Sequence, residues 1–255
     1  MGTSRDHSIQ SLETSLDILE ALVQTDAGTV SELEAVLEPS KSTIYQHLET
    51  LRRRGYVEKH DDHYKLGLGL VTLGGYCRDN IELVKHGRSV VEEVADATGE
   101  YVTLAAEHQF RSMHVYRIEG KGALSMDTYL GSQFQLHATA TGKAMMAAME
   151  PEQVDTYIEE VGLTAFTDQT ITNPDELRAE LADTKERGYS LEDNERIDGS
   201  RGIGVPVTKR TTGETLGVLA VAGPSNRING PRFREKLPDI LQRHVEVIEL
   251  NIVYS

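Results

Sequence analysis

Lys41, Ser42, Thr43, Tyr45 and Gln46 crowd the start of a segment that closes on Arg52, Arg53 and Arg54. Hydroxyls and a carboxamide flanked by cations are the groups that bind nucleic acid. A glutamine amide can pair bidentately with adenine N6 and N7, and Ser or Thr can reach bases or phosphates. Lysine and arginine neutralise phosphates, which positions a protein without reading sequence. Taken alone, the Arg52–Arg54 run fits a solvated helix face better. A second constellation is Gly199-Ser200-Arg201-Gly202-Ile203-Gly204, a flexible loop carrying one guanidinium. Such a fork can clasp a carboxylate, although an arginine on a surface turn is the plain alternative.

Other spacings lead nowhere. His60 and His63 are spaced as H-x-x-H but have no further ligand nearby, so no metal site is expected. Thr141-Gly142-Lys143 is a fragment of a phosphate loop, yet His137 stands where that loop needs its first glycine. No G-x-S-x-G or H-E-x-x-H motif occurs, and the nine histidines do not cluster with acids. No cofactor is expected.

The elements that must hold the basic segment follow from periodicity. Leu12, Leu16, Ile18, Leu19, Leu22 and Val23 predict a helix over Ser11–Gln24. Val30, Leu33, Val36 and Leu37 predict a short second one, with Ser31 suited to early capping. Glu38-Pro39-Ser40 makes the turn, and Ser40–Arg54 forms a third helix with Ile44, His47 or Leu48, and Leu51 inward, stopped by Gly55. That order is a helix-turn-helix. Its second helix presents Ser42, Thr43, Tyr45 and Gln46 near the N-terminal end, off the inward stripe. Tyr56–His60 and His63–Leu66, around Asp61-Asp62, read as a hairpin wing. Leu68–His86 reads as a linker helix interrupted near Gly74-Gly75.

Beyond it the pattern mixes helices and strands. Helices are expected at Val90–Thr98, His137–Met149, Pro174–Gly188 and Pro231–Val253. Strands are expected at Tyr101–Glu107, Ser112–Glu119, Leu124–Tyr129, Ile203–Thr208 and Leu216–Ala222. The fold class is therefore α+β, an N-terminal winged helix-turn-helix (residues 1–68), a linker (69–86) and a C-terminal domain with an antiparallel sheet (87–255).

Composition bounds the setting. At 255 residues, 38% hydrophobic and 26% charged, the chain can bury two cores. No apolar run approaches the roughly 20 residues of a membrane span. The polar start, Met1–Gln10, lacks signal-peptide order, so a cytoplasmic protein with no membrane partner is expected. Cys77, the single cysteine, reads as a core or interface residue. The net charge of −15 should repel DNA. Pro39–His60, however, holds Lys41, Arg52, Arg53, Arg54 and Lys59 against only Glu49 and Glu58, which marks where DNA should sit. The acidity, with few lysines, no tryptophan and many threonines, looks like adaptation to a very salty cytosol; an ordinary acidic mesophilic protein is the alternative.

Ser40–Leu48 together with Leu51–Val57 resembles the recognition helix and the start of the wing of isocitrate-lyase-regulator (IclR) type regulators. Leu136–Ala144, Arg187–Ser190 and Ala222–Arg227 match the same family in order, so the resemblance covers nearly the whole chain, with a halophilic archaeon as the implied source. It implies a dimerising linker helix, a GAF-like effector domain, and homodimers or dimers of dimers on a pseudo-palindromic double-stranded DNA operator. It also implies a pocket for a small-molecule effector, an organic or sugar acid. The pocket is drawn from Met126, Phe134, Ala140 and Thr141, from Glu192, Arg201 and Gly202, and from Ala220 and Ala222. By resemblance the family's small-acid binders carry a cysteine and two serines where Gly202, Ala220 and Ala222 stand here, and their acidic residue falls at Glu192. The alternatives to a non-enzymatic regulator are a metabolite-converting enzyme and a ligand-independent architectural DNA-binding protein.

Overall fold

The structure, a computed structural model, describes residues 9–26, 28–123 and 128–255. The chain divides into two compact units, Met1–Asp79 and Asn80–Ser255.

In the first unit, three helices α1 (Gln10–Thr25), α2 (Val30–Val36) and α3 (Lys41–Arg53) precede a hairpin of β1 (Val57–His60) and β2 (His63–Leu66). Ile44, Leu48 and Leu51 point α3 inward, where they meet Ile18 and Leu22 of α1, Leu33 of α2, and Val57 and Tyr64 of the hairpin. His47 is not a core residue; its Nδ1 lies 2.7 Å from Ser15 Oγ. Thr29, not Ser31, caps α2. Its hydroxyl accepts the Glu32 N–H, and the Glu32 carboxylate accepts the Thr29 N–H at 2.8 Å, a capping box. Ser40 caps α3 by accepting from the Thr43 N–H. The hairpin pairs Val57 with Leu66 through His60 with His63, and Gly28 bonds Tyr64 in both directions at 2.9 and 2.8 Å, tying the α1–α2 loop to the wing. A helix α4 (Gly69–Asp79) follows with no buried residue.

The expected break at Gly74-Gly75 does not occur; both glycines are helical, and the interruption falls at Asn80-Ile81. Helix α5 (Glu82–Thr98) then begins eight residues earlier than the Val90 start read from sequence, because Leu83, Val84 and Gly87 are buried in the second unit. Gly87 has no room for a Cβ, which would come 2.8 Å from Leu104 Cδ1. Residues 82–86, assigned from sequence to the linker, thus lie in the second unit, with Leu83 and Val84 in its core. Cys77 is exposed on α4 rather than buried.

The second unit is built on a six-stranded antiparallel sheet of β3 (Tyr101–His108), β4 (Arg111–Glu119), β5 (Gln133–Gln135), β6 (Ser190–Asp193), β7 (Ser200–Thr208) and β8 (Thr215–Pro224), in the order β5-β4-β3-β8-β7-β6. On one face, Val102, Leu104, Ile203 and Leu219 pack against α5 and the closing helix α9 (Leu237–Val253). On the other, Ala105, Val218 and Ala220 share a core with α6 (Ala140–Met146), α7 (Pro151–Glu160) and α8 (Pro174–Arg187). The expected helix His137–Met149 is broken at Thr139, whose extended backbone separates a 3-10 turn from α6 and whose hydroxyl caps α6 by accepting the Gly142 N–H. Gly142 permits the close approach, since a Cβ there would lie 2.2 Å from Leu136 O. In the expected strand Leu124–Tyr129, residues 124–127 lie outside the described residues, and Thr128 and Tyr129 are not in a strand. The closing helix is preceded by a π-helical turn, Arg232–Lys236, within the single helix expected from Pro231.

Candidate functional site

The first site is the outer face of α3. Alternation along the helix buries Ile44, Leu48 and Leu51 and leaves Lys41, Ser42, Tyr45 and Gln46 exposed, with Thr43 half-buried beside its capping contact. Tyr45 keeps 48% of its surface, unusual for an aromatic residue of a folded helix. Lys41 lies 3.5 Å from Glu34 and Arg52 is held in a fork by Glu49, with contacts of 3.1 and 2.8 Å. Among the described residues Arg53 and Arg54 form no ion pair. These two cations are the ones that need not break a protein contact to meet a phosphate. In the hairpin, Lys59 lies over the Tyr64 ring, His60 faces Glu58, and His63 faces Asp62. No group of three metal-binding side chains occurs among the described residues.

The second site is a cavity of about 400 Å3 on the α6 face of the sheet. A single cross-strand row floors it: Glu192 on β6 pairs with Gly202 on β7, Gly202 with Ala222 on β8, and Ala222 with Tyr101 on β3. Small residues in the middle of the row leave the space, and polar side chains close both ends. At the Glu192 end, Oε1 accepts the Glu195 N–H at 2.7 Å and the Arg196 N–H at 3.2 Å. Burial, opposed only in part by these bonds, raises the Glu192 carboxyl to about 7. Behind it, Lys143 Nζ, 1% exposed, lies 2.6 Å from Glu195 and 3.5 Å from Glu180. Burial raises the Glu195 carboxyl even so. Arg196 reaches over the rings of Phe166 (4.4 Å) and Phe134 (5.8 Å), with its Nε buried and without a hydrogen-bond partner. At the other end, Tyr101 Oη lies 3.0 Å from His114 Nδ1, and the His114 ring packs against Phe134 at 4.7 Å, tilted by 45°. Burial, with Arg117 nearby, lowers His114 to about 4, so the ring is neutral near pH 7.

Comparison with known proteins gives one answer over both sites. Residues 11–61 match the IclR helix-turn-helix domain, and residues 77–249 match the family described as "Bacterial transcriptional regulator IclR C-terminal". The chain belongs to the IclR family of transcriptional regulators. A "probable HTH-type transcriptional regulator ArcR" of Halobacterium salinarum is 29% identical, covering 96% of this chain and 94% of that protein. The crystal structure of the Thermotoga maritima IclR has a TM-score of 0.77 at 27% identity, covering 96% of this chain and 99% of its own. An IclR homolog from Microbacterium hydrocarbonoxydans, complexed with 4-hydroxybenzoate, has a TM-score of 0.85 at 23% identity and covers 96% and 100%.

As an IclR-type regulator the protein has a helix-turn-helix DNA-binding domain and a C-terminal effector domain. Of the residues expected in an effector pocket, Phe134, Ala140, Thr141, Glu192, Gly202, Ala220 and Ala222 all line the cavity. Met126 lies outside the described residues. Arg201 does not belong there. In a strand, neighbours point to opposite faces, so with Gly202 toward the cavity Arg201 faces the α9 side. There it clasps the Asp193 carboxylate at 2.6 and 3.2 Å and lies over Phe233. The fork meets a carboxylate, but the protein's own. Sequence reasoning missed Arg196, Tyr101 and His114. Every position from Tyr101 to Ala105 is buried, so no apolar-polar alternation marks which side chains of β3 face the cavity.

Proposed function

We propose that this IclR-family protein is a sequence-specific regulator whose promoter occupancy is set by an organic or sugar acid bound on the β-sheet cavity. Two observations in one chain carry this reading: an exposed polar face on a helix whose apolar face is anchored, and a separate cavity closed by a cation without a hydrogen-bond partner at its Nε. Gln46 is the base reader, with Ser42, Thr43 and Tyr45 beside it, and Lys41 and Arg52–Arg54 take phosphates. In the cavity, Phe134, Ala140, Thr141, Gly202, Ala220 and Ala222 give shape. Arg196 takes the effector's carboxylate in place of Arg201, because its Nε–H is already desolvated and lacks an acceptor. A Glu192 carboxyl that is partly protonated near neutrality tolerates an anion beside it.

Helix α4 acts as the linker, and the protein works as a homodimer or a dimer of dimers on a pseudo-palindrome in the cytoplasm, where its DNA is. A second copy is supported by exposed apolar side chains on α1 (Leu12, Leu16) and α4 (Val71, Leu73, Tyr76). The effector shifts operator occupancy only by its differential affinity for the two arrangements of the dimer.

The test is selection from a randomised duplex pool, followed by footprinting with and without organic and sugar acids. A palindromic motif whose protection changes with an acid supports the regulator. Protection without sequence preference and indifferent to every acid favours an architectural protein, and consumption of an acid in the absence of DNA favours an enzyme.

A further inference from the structure

Resting on the reading of the cavity as an effector site, we propose that Tyr101 and His114 are specificity determinants that read a hydroxyl or carbonyl oxygen at the end of the effector opposite its carboxylate. The cross-strand row gives the geometry. Three interstrand steps of about 4.8 Å separate the backbones of Glu192 and Tyr101 by roughly 14 Å. Side chains reaching in from both ends leave room over Gly202 and Ala222 for one six-membered ring or a comparable short chain. Phe134 supplies the wall between the ends: the Arg196 guanidinium lies over that ring, and His114 packs against it at 4.7 Å. A ligand lying along Phe134 with its carboxylate on Arg196 therefore ends at the imidazole.

The hydrogen-bond chain behind the imidazole gives it a polarity. Arg117 Nη1 donates to Thr128 Oγ1 at 3.0 Å, and a guanidinium can only donate. Of the two senses the chain allows, oxygen recognition uses the one in which the Thr128 hydroxyl donates to Tyr101 Oη, 3.3 Å away, and the Tyr101 hydroxyl donates to His114 Nδ1. A neutral imidazole that accepts at Nδ1 carries its proton on Nε2. His114 is 6% exposed and Tyr101 2%, so the donor is held in a site where leaving it unmatched is costly. A site built this way discriminates against the analogue that lacks the oxygen far more strongly than an apolar wall discriminates by size. Tyr101 ends the floor row and His114 lies beside it, at the end opposite Glu192, so oxygen recognition and acid recognition are separable.

The experiment is isothermal titration of the full chain with three matched pairs: benzoate and 4-hydroxybenzoate, pentanoate and 4-oxopentanoate, hexanoate and 6-hydroxyhexanoate. In the wild type, the oxygen-bearing member of at least one pair should bind about tenfold or more tightly than its partner. Tyr101→Phe, which keeps the ring and the packing, and His114→Leu should each bring that ratio towards one while the parent acid's affinity stays within about twofold. His114→Gln, which keeps a donor, should restore part of the ratio. Acids that bind without preference for the oxygen, or a preference untouched in both Tyr101→Phe and His114→Leu, would overturn this inference and leave the effector reading standing. Absence of binding by all six acids would overturn the acid-effector reading and this inference with it.

Discussion

The two units solve opposite problems. The DNA-binding unit keeps its functional groups outside, on a helix held by a few apolar side chains, and the nearby ion pairs are exposed. The effector unit buries its functional groups, collecting them from β3, β4, β6 and the loop after β6 onto a floor of glycine and alanine. The difference shows where polar chemistry is energetically expensive. An exposed pair such as Arg52–Glu49 contributes little to stability, whereas Lys143, Glu192, Glu195 and His114 are all buried and depend on their partners. Burial pushes Glu195 upward although Lys143 is 2.6 Å away, so desolvation outweighs the attraction. The pair adds little net stability, yet removing one partner should be costly.

The contrast can be broken first at that pair. Lys143→Met keeps the side-chain bulk and strands Glu195. It should destabilise the effector unit by about 3–5 kcal/mol, read as loss of the wild-type unfolding transition of residues 80–255, while Arg52→Ala changes thermal stability hardly at all. Equal, small effects would show that the buried network is solvated.

Next in size are two opposed pH dependences. Burial holds Glu192 at about 7 in the fold against the usual 4.5 of an unburied carboxyl, so the folded protein holds its proton longer and stability falls as pH rises from 4.5 to 7. His114 titrates at about 4 against 6.5, so the unfolded chain binds the proton first and stability rises with pH from 4 to 6.5. Each is worth on the order of 3 kcal/mol, and in the wild type they nearly cancel between pH 4.5 and 6.5. Glu192→Gln should uncover the rising limb and His114→Gln the falling one in chemical unfolding at stepped pH. Parallel curves for all three proteins would refute the assignment.

Smaller effects belong to the exposed unit. Gln46→Ala should cost about 1–3 kcal/mol on the selected operator and much less on random duplex; equal losses on both would remove Gln46 as a base reader. Smallest is the electrostatic increment: Arg53→Ala should reduce the slope of log affinity against log salt by about one, and Arg52→Ala by less, because Glu49 already holds that guanidinium. A larger change at Arg52 would show that the fork opens on DNA.

The same contrast explains what the sequence revealed. In α3, the stripe Ile44, Leu48, Leu51 and the turn before it are local, so helix, turn and outward face were all readable within fifteen or so residues. Strands β7 and β8 were legible as apolar runs. Edge strands β5 (Gln-Phe-Gln) and β6 (Ser-Leu-Glu-Asp) were not, because a short polar edge has no apolar pattern. Ser31 and Thr29 are both suited to capping α2, and only the reciprocal Glu32 contact decides between them. Arg196 and Arg201 are five residues apart in one polar stretch, and composition cannot say which faces the cavity. That choice is made by strand parity, fixed when β7 pairs with β8 through Gly202 and Ala222.

The most direct measurement of the whole account is operator affinity of the full chain, by fluorescence anisotropy, titrated with the acid that binds best, in the wild type and in Ala222→Leu. Leucine at this position fills the cavity floor, and residue 222 belongs to the second unit, not to the one that carries α3. The predicted result is unchanged operator affinity without acid and loss of the acid-dependent shift in Ala222→Leu. A shift that persists at full size in a chain whose cavity is blocked would contradict the account.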